Sequence, residues 1–180
     1  MNWITSLPIA NREIPWIIFA ASVATLGSAL IFEHVGDLDP CSLCLQQRMP
    51  YWLLIPAAAL AGILGRETNL GLAPVLLIAL CALAAAANVG LAGYHAGVEY
   101  KWWQGPQGCT GNTLIAGSLA ELQQQLDGVK VPRCDETPWS LFGLSMAGFN
   151  FLISLGLLGL ASLALLRFWT ETGADDDDNA

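Results

Sequence analysis

The sequence predicts an all-α integral membrane protein that is a bundle of four transmembrane helices. Of its 180 residues, 54% are hydrophobic and only 12% are charged, whereas a soluble domain carries about 25% charged residues. The apolar residues form long uncharged runs instead of amphipathic stripes. Four runs, at residues 14–32, 49–65, 70–94 and 141–166, reach the roughly 17–25 residues that a helix needs to cross a bilayer core.

The connections between these runs predict the topology. Only residues 66–69 separate the second and third runs, so these two spans form a tight antiparallel hairpin. Four spans place both termini on the same side as this turn, with loops at about 33–48 and 95–140 on the other side. The first run is too long for a signal-peptide core and is interpreted as a retained span.

The predicted membrane domain covers residues 1–168, followed by a tail at 169–180. The tail ends in the run Asp175–Asp178, which supplies half of the net charge of −8. Such a run of like charges is typical of a solvated, disordered segment. The sequence contains no basic cluster of the kind that indicates nucleic-acid binding.

Cysteine placement orients the bundle where the basic residues do not. Lysine and arginine are nearly balanced across the membrane, with Arg12, Arg66 and Arg167 on the terminal side and Arg48, Lys101, Lys130 and Arg133 on the loop side. Four of the five cysteines, by contrast, fall in the loops. Disulfides persist outside the cytosol, so we expect periplasmic loops and cytoplasmic termini.

The first loop ends in the motif Asp39-Pro40-Cys41-Ser42-Leu43-Cys44. Asp39 suits a helix N-cap and Pro40 the first helical position, which would place Cys41 in the first turn. There the helix dipole and free N–H groups stabilise the thiolate that disulfide exchange requires. The alternatives are a static bridge, which would close too small a loop to stabilise much, and half of a zinc site, which lacks a second Cys-x-x-Cys.

Three polar residues near this motif are candidates for binding a redox cofactor. Arg48 lies one helical turn after Cys44 and could donate hydrogen bonds to a quinone oxygen, although it could also be a snorkelling anchor. Gln47, next to it, is a weaker candidate. His95 follows the third run at the same depth and is a better candidate than His34, although both histidines could be simple interfacial residues.

The second loop carries Cys109 and Cys134. Between them, a Ser118-x-x-Glu121 capping box and a spaced leucine stripe predict a short helix on the membrane surface. Glycines flanking Cys109 indicate a loop that another protein could approach. A static stabilising bridge is the alternative, but a second exchangeable pair beside Cys-x-x-Cys would make a relay.

The remaining polar and sulfur-bearing residues of the runs have a structural interpretation. Cys81 lies mid-membrane among Ala and Leu and is interpreted as a small buried hydrophobe. Asn88 and Asn150 are expected to hydrogen-bond within the bundle.

The segment Pro40–Arg48 matches the pattern Pro-Cys-x-Leu-Cys-x-x-Gln-Arg, and the stretch from Cys134 through Trp139 to Met146 is also similar to one family. The chain resembles, over nearly its whole length, the DsbB family of bacterial inner-membrane quinone reductases that reoxidise the periplasmic dithiol oxidase DsbA.

The resemblance implies a relay. A DsbA-like partner would attack Cys109 of a Cys109–Cys134 disulfide, electrons would pass to Cys41–Cys44, and Cys44 would reduce ubiquinone or menaquinone beside Arg48. Two alternatives are an enzyme of the vitamin K epoxide reductase type, in which the cysteine pairs come in the reverse order, and a membrane scaffold or metal carrier with structural disulfides.

Overall fold

The computed structural model describes residues 12–67, 72–106 and 132–177, with side chains described for 12–65, 72–106 and 132–170. These residues contain four helices that are long and apolar enough to cross a membrane: α1 (Ile14–His34), α2 (Ser42–Glu67), α3 (Leu72–Glu99) and α4 (Met146–Asp177). The predicted four-helix membrane bundle is therefore confirmed. The predicted surface helix around 118–128 lies outside the described residues.

The bundle core is built from small side chains. Consecutive helices pack side by side, and α1 meets α4 over a smaller area. Alanines are buried at the contacts of α2, α3 and α4, among them Ala58, Ala85 and Ala161. Without a hydrophobic driving force in lipid, such residues allow the close backbone approach that van der Waals packing needs. Cys81, 1% exposed, belongs to this core, as its interpretation as a buried hydrophobe requires.

Two helices extend further towards the loop side than their apolar runs. α2 begins at Ser42 instead of 49, and α3 ends at Glu99 instead of 94. The apolar runs stop earlier because polar residues interrupt the hydrophobic pattern there, while the helical backbone continues. Several of these polar side chains, including Gln47, His95 and Glu99, turn into the bundle and are buried.

A short β-hairpin replaces the expected start of the fourth span. β1 (Ser140–Leu141) pairs antiparallel with β2 (Leu144–Ser145). Phe142 and Gly143 have φ values of 52° and 80°, the two positive values that a two-residue type I′ turn needs. Helix α4 therefore begins at Met146 and not at 141. The apolar residues of the hairpin continue the hydrophobic run of the helix in sequence, which is why the prediction included them in the span.

The other end of α4 also differs from expectation. Its helical backbone continues to Asp177, where a disordered tail from residue 169 was expected. No proline follows the span, and each further residue of a helix adds one hydrogen bond. Helix α4 therefore reaches into the predicted tail, and the disorder of that tail stays a prediction.

Candidate functional site

Cys41 caps helix α2 with its sulfur. The first helical hydrogen bond runs from the Leu45 N–H to the Cys41 carbonyl, and the Cys44 N–H donates to Cys41 Sγ at 3.3 Å. This is the N-cap arrangement, in which the side chain accepts from the third helical residue. The expected cap at Asp39 was wrong, because the helix begins after Pro40 and Cys41. The cap position still exposes the sulfur to the positive end of the helix dipole.

The surroundings of Cys41 favour its thiolate form. Its Sγ lies 3.0 Å from the sulfur of Cys44, and both thiols are free. The hydrogen bond with Cys44 is the largest cause that lowers the pKa of Cys41, and hydrogen bonds with His95 and the Cys44 backbone add to it. Burial opposes them, since Cys41 is 5% exposed. Cys41 is therefore the stronger nucleophile candidate.

His95 faces this sulfur from α3. Its Nε2 lies 3.6 Å from Cys41 Sγ, and its Nδ1 lies 2.6 Å from the amide nitrogen of Gln47. The ring is 2% exposed, because α3 continues past residue 94 and carries the ring into the bundle.

A hydrogen-bond network fixes the tautomer of His95. Asn150 on α4 donates to the Gln47 carbonyl oxygen at 2.5 Å, which turns the Gln47 amide nitrogen towards the ring. Because that nitrogen only donates, His95 Nδ1 must accept and the ring hydrogen lies on Nε2. His95 thus presents an N–H to the Cys41 sulfur, and this stabilises a thiolate there.

The same network continues towards the membrane core. Tyr51 donates to Asn150 Oδ1 at 2.6 Å, and Asn88 donates to Ser154 Oγ at 2.9 Å and to Asn150 Oδ1 at 3.4 Å. The expectation that Asn88 and Asn150 bond within the bundle is confirmed. These contacts hold the Asn150 amide in one orientation and, through Gln47, the orientation of His95.

Arg48 forms an ion pair with Glu33 of α1. Its side chain is 16% exposed and lines a cavity between the helices. The guanidinium group therefore points into the bundle, close to its loop-side end. The ion pair links α1 and α2 near Cys44. The carboxylate holds the guanidinium close to the turn that carries Cys44.

Cys134 arrives at the site from the second loop. It is fully buried and disulfide-bonded, and its sulfur lies within 4.8 Å of both Cys41 Sγ and a ring nitrogen of His95. The predicted partner, Cys109, lies outside the described residues. The Ser42 hydroxyl is 3.8 Å from the Cys134 sulfur, so the loop contacts the first residue of α2.

Charged residues next to Cys134 hold this part of the loop against α3. Asp135 pairs with Lys101 and with Arg133, each at 2.9 Å. The hydrogen bonds from Arg133 and then Lys101 lower the pKa of Asp135 to about 2. The carboxylate is therefore ionised at any pH at which the protein would work.

The sulfur–imidazole cluster also resembles part of a metal site. Cys41, His95 and Cys134 bring three potential donor atoms within 4.8 Å of one another, a grouping that sequence spacing did not reveal. Zinc binds cysteine as a thiolate, and the Cys134 sulfur is engaged in a disulfide. In this redox state the cluster suits disulfide exchange better than metal binding.

A cavity of about 330 Å³ opens beside the Cys-x-x-Cys motif. Its walls are mostly apolar and come from all four helices and the hairpin region. Its polar residues are concentrated near the motif and include Cys44, Gln47, Arg48, His95 and Glu99. A small-molecule site typically has this size and composition, with a few convergent polar groups in an apolar pocket.

The structure adds Glu33 and Glu99 to the site, and sequence reasoning missed both. Each is a carboxylate at the loop-side end of an apolar helix. Glu99 lies four residues after His95, on the same helix face. An ionisable residue at the end of a transmembrane run is a functional candidate by default, and that signal could have identified them.

Comparisons with known proteins point to one family. The family model for the disulfide bond formation protein DsbB matches residues 11–164. A disulfide bond formation protein B from Verminephrobacter eiseniae is 32% identical over 92% of this chain and 89% of its own length. Disulfide bond formation protein B 1 from Pseudomonas aeruginosa is 29% identical over 89% of this chain and 99% of its own length. No solved structure matches the chain significantly.

Proposed function

The chain belongs to the DsbB family and is a multi-pass membrane protein of disulfide bond formation, and from this premise we propose that it reoxidises a periplasmic DsbA-like dithiol oxidase and transfers the electrons to a membrane quinone. The proposed path runs from the partner to Cys109–Cys134, then to Cys41–Cys44, and then to a quinone held in the cavity.

One observation carries the proposal: three sulfurs form a continuous path to the cavity. The sulfur of disulfide-bonded Cys134 lies within 4.8 Å of Cys41, and Cys41 lies 3.0 Å from Cys44, which lines the cavity. Disulfide exchange requires a thiolate to reach a disulfide sulfur directly. The short distances support exchange between the loop pair and the Cys-x-x-Cys pair without a large rearrangement.

The loop disulfide is the proposed entry point. Cys41, Cys44 and Cys81 are free thiols, which leaves Cys109 as the remaining cysteine and supports the Cys109–Cys134 pairing. A partner thiolate attacks Cys109 and releases Cys134 as a thiolate. The partner's second thiolate then resolves the mixed disulfide, so that the partner leaves oxidised and the loop pair is left reduced.

The next exchange returns the loop pair to its oxidised state. Cys134 attacks Cys41 of a Cys41–Cys44 disulfide and releases Cys44 as a thiolate. Cys109 then attacks Cys134 and releases Cys41. Two electrons have moved from the loop pair to the Cys-x-x-Cys pair, and Cys41 is left beside His95, whose Nε2–H stabilises it.

The cavity residues fit a quinone. The apolar walls suit a lipid-soluble ring. Arg48 and the Gln47 amide can donate hydrogen bonds to ring oxygens, and His95 lies on the side of the cavity next to the Cys41 sulfur. When bound there, a quinone, ubiquinone or menaquinone, would accept two electrons and two protons. Arg48 would stabilise the negative charge that reduction develops.

The proposed location is the bacterial inner membrane, with cysteine loops in the periplasm and both termini in the cytoplasm. Placement of the redox cysteines at one end of the bundle supports this orientation, because disulfides persist outside the cytosol. A membrane-impermeant thiol reagent, applied to spheroplasts after mild reduction, should label Cys109. Labelling only after lysis would invert the orientation.

A reconstituted reaction tests the function. Purified protein in lipid nanodiscs is mixed with a reduced DsbA-like partner and a short-chain ubiquinone, and quinone absorbance and free thiols are followed together. We expect two thiols lost per quinone reduced. A partner without its resolving cysteine should become trapped on Cys109. Cross-linking at Cys41 from the intact loop disulfide would contradict the entry point, and thiol loss without quinone reduction would contradict the acceptor.

A further inference from the structure

Glu99 is a buried carboxyl group that the relay described above does not use. Its side chain is 2% exposed, and its Oε1 lies 4.0 Å from His95 Nε2. Its Oε2 is buried without a hydrogen-bond partner among the described residues, and the residue lines the cavity. Ser145 is a hydrogen-bonding neighbour of this carboxyl group, but burying a carboxylate oxygen without a partner is costly, and such a group in a native site calls for a functional explanation.

Both ring nitrogens of His95 are already engaged. Its Nδ1 accepts from the Gln47 amide, which Asn150 holds in orientation, and its Nε2 faces the Cys41 sulfur. A proton that is to reach the cavity is therefore better held by a separate group beside the ring.

Glu99 is the group in position to accept it. Its Oε1 shares the Nε2 side of His95 with the Cys41 sulfur, and a carboxyl group can both take up and release a proton. Arg48 cannot lose its proton in a protein, and the Tyr51 hydroxyl is committed to Asn150. Asp39 also lines the cavity, but it is exposed to solvent.

We infer that Glu99 is the proton carrier of the quinone-reducing step: it takes up a proton when the Cys41–Cys44 pair is reduced and delivers it into the cavity. This inference rests on the proposed function and assigns a residue to the proton half of the reaction. Glu99 would act as a catalytic residue from the cavity wall, with His95 as the positioning residue between it and Cys41.

The protons and electrons balance. Reduction of the pair takes up two protons, which come from the two thiols of the partner: one goes to Cys44 and one to the Glu99 carboxylate, while Cys41 stays a thiolate. Cys41 and Cys44 then lose two electrons as their disulfide forms. The Cys44 thiol and the Glu99 carboxylic acid supply the two protons that reduction of a quinone to a quinol requires, and Glu99 returns to its carboxylate form.

The first experiment uses the quinone-free protein. Infrared difference spectra are recorded as a phosphine reduces the Cys41–Cys44 disulfide. We expect a carboxylic acid C=O band to appear together with the ultraviolet absorbance of the Cys41 thiolate, and to vanish in Glu99→Gln. The band should persist in the control Glu13→Gln, which changes an exposed carboxylate at the start of α1. A wild-type spectrum without that band, or a band that persists in Glu99→Gln, overturns the inference.

The second experiment separates the chemical steps. Glu99→Gln should slow quinone reduction by about 100-fold, within the range of general acid–base contributions, and should change its solvent deuterium isotope effect. The single exchange between the partner and the loop disulfide should keep its rate. Glu99→Asp retains a carboxyl group and should recover part of the loss.

The remaining outcomes are also decisive. If Asp39→Asn loses the isotope effect and Glu99→Gln does not, the proton enters from the solvent side and the inference is wrong. If Glu99→Gln misfolds, the infrared spectra of the wild type and of Glu99→Asp still test the inference. The carboxylic acid C=O band must differ in frequency between these two proteins, and an unchanged band overturns the inference. Failure of the wild type to reduce quinone would refute the proposed function instead.

Discussion

Cys41 and Cys81 are both free, buried thiols in the same bundle, yet only one lies in a chemically active environment. Cys81 packs among alanine and leucine side chains of the core. Cys41 caps a helix and faces Cys44, His95 and the disulfide-bonded Cys134. Burial alone makes a cysteine a small hydrophobe. The neighbours that donate hydrogen bonds, and a second sulfur within reach, make it a nucleophile.

The largest expected effect comes from removing each sulfur in turn. Cys41→Ala should abolish partner-dependent quinone reduction, because the relay loses the sulfur that joins its two pairs. Cys81→Ala should retain wild-type turnover and cost about 1 kcal/mol of stability. Turnover in nanodiscs and thermal unfolding measure both. Comparable losses of turnover in the two folded variants would remove the distinction drawn between the two sites.

The next effect concerns the charged group that stands beside the Cys-x-x-Cys motif and has no counterpart near Cys81. Losing one charged donor in a partly dry site costs about 2–4 kcal/mol of transition-state stabilisation, roughly one and a half to three decades in rate. Arg48→Ala should slow quinone reduction by that factor, while partner exchange at Cys109 proceeds normally. Arg48→Lys keeps the charge without the planar fork and should fall between.

A control is needed because Arg48 also pairs with Glu33 of α1. Arg12→Ala, an exposed change near the start of α1, should leave both rates unchanged. Circular dichroism and unfolding curves check that Arg48→Ala is folded. Wild-type quinone kinetics in a folded Arg48→Ala would make Arg48 an ordinary anchor of the helix end.

The hydrogen-bond donors around Cys41 should change the pH dependence of its alkylation rate. Because the Cys41 pKa is lowered, its thiolate persists below the usual pKa of about 8.5, and alkylation should change little between pH 8 and pH 6. His95→Ala should raise the pKa and slow alkylation several-fold at pH 6, and Cys44→Ala, which removes the largest cause, should slow it more.

Mass spectrometry of iodoacetamide adducts assigns the label to each cysteine. Cys81 serves as the internal comparison, since its apolar surroundings should keep it unlabelled over this pH range in every variant. An alkylation profile of Cys41 that is unchanged in His95→Ala would remove His95 from the set of groups that stabilise the thiolate.

The smallest expected effect concerns the charges that place Cys134 near Cys41. Asp135→Asn weakens pairs with exposed Lys101 and Arg133, and exposed pairs contribute at most about 1 kcal/mol. In a Cys44→Ser, Cys109→Ser background, formation of a Cys41–Cys134 disulfide should slow by about threefold. Added salt should slow the parent to a similar degree.

This effect should not depend on pH in the working range. The pKa of Asp135 is depressed to about 2, so its stabilisation is fully present above the ordinary pKa of 3.8 and is lost only as the pH falls towards 2. A rate that changes between pH 8 and pH 5 in the parent, but not in Asp135→Asn, would contradict that assignment.

The sequence by itself determined the four spans, the loop-side placement of the redox cysteines and the position of Cys41 at the start of a helix. These follow from local information: the length of apolar runs sets a membrane span, and Pro-Cys-x-x-Cys ahead of a helical run indicates a helix start. The same local reading failed at span ends, where polar residues of α2 and α3 face inward.

Only the tertiary structure decided which distant residues meet. Cys134 reaches Cys41 across 93 positions of sequence, and Glu33 reaches Arg48 from another helix. Glu99 points at His95 and into the cavity because α3 continues past its apolar run. Such contacts depend on how each helix is rotated and how deeply it is set against its neighbours. Packing of small side chains across the bundle fixes those variables, and no local pattern encodes them.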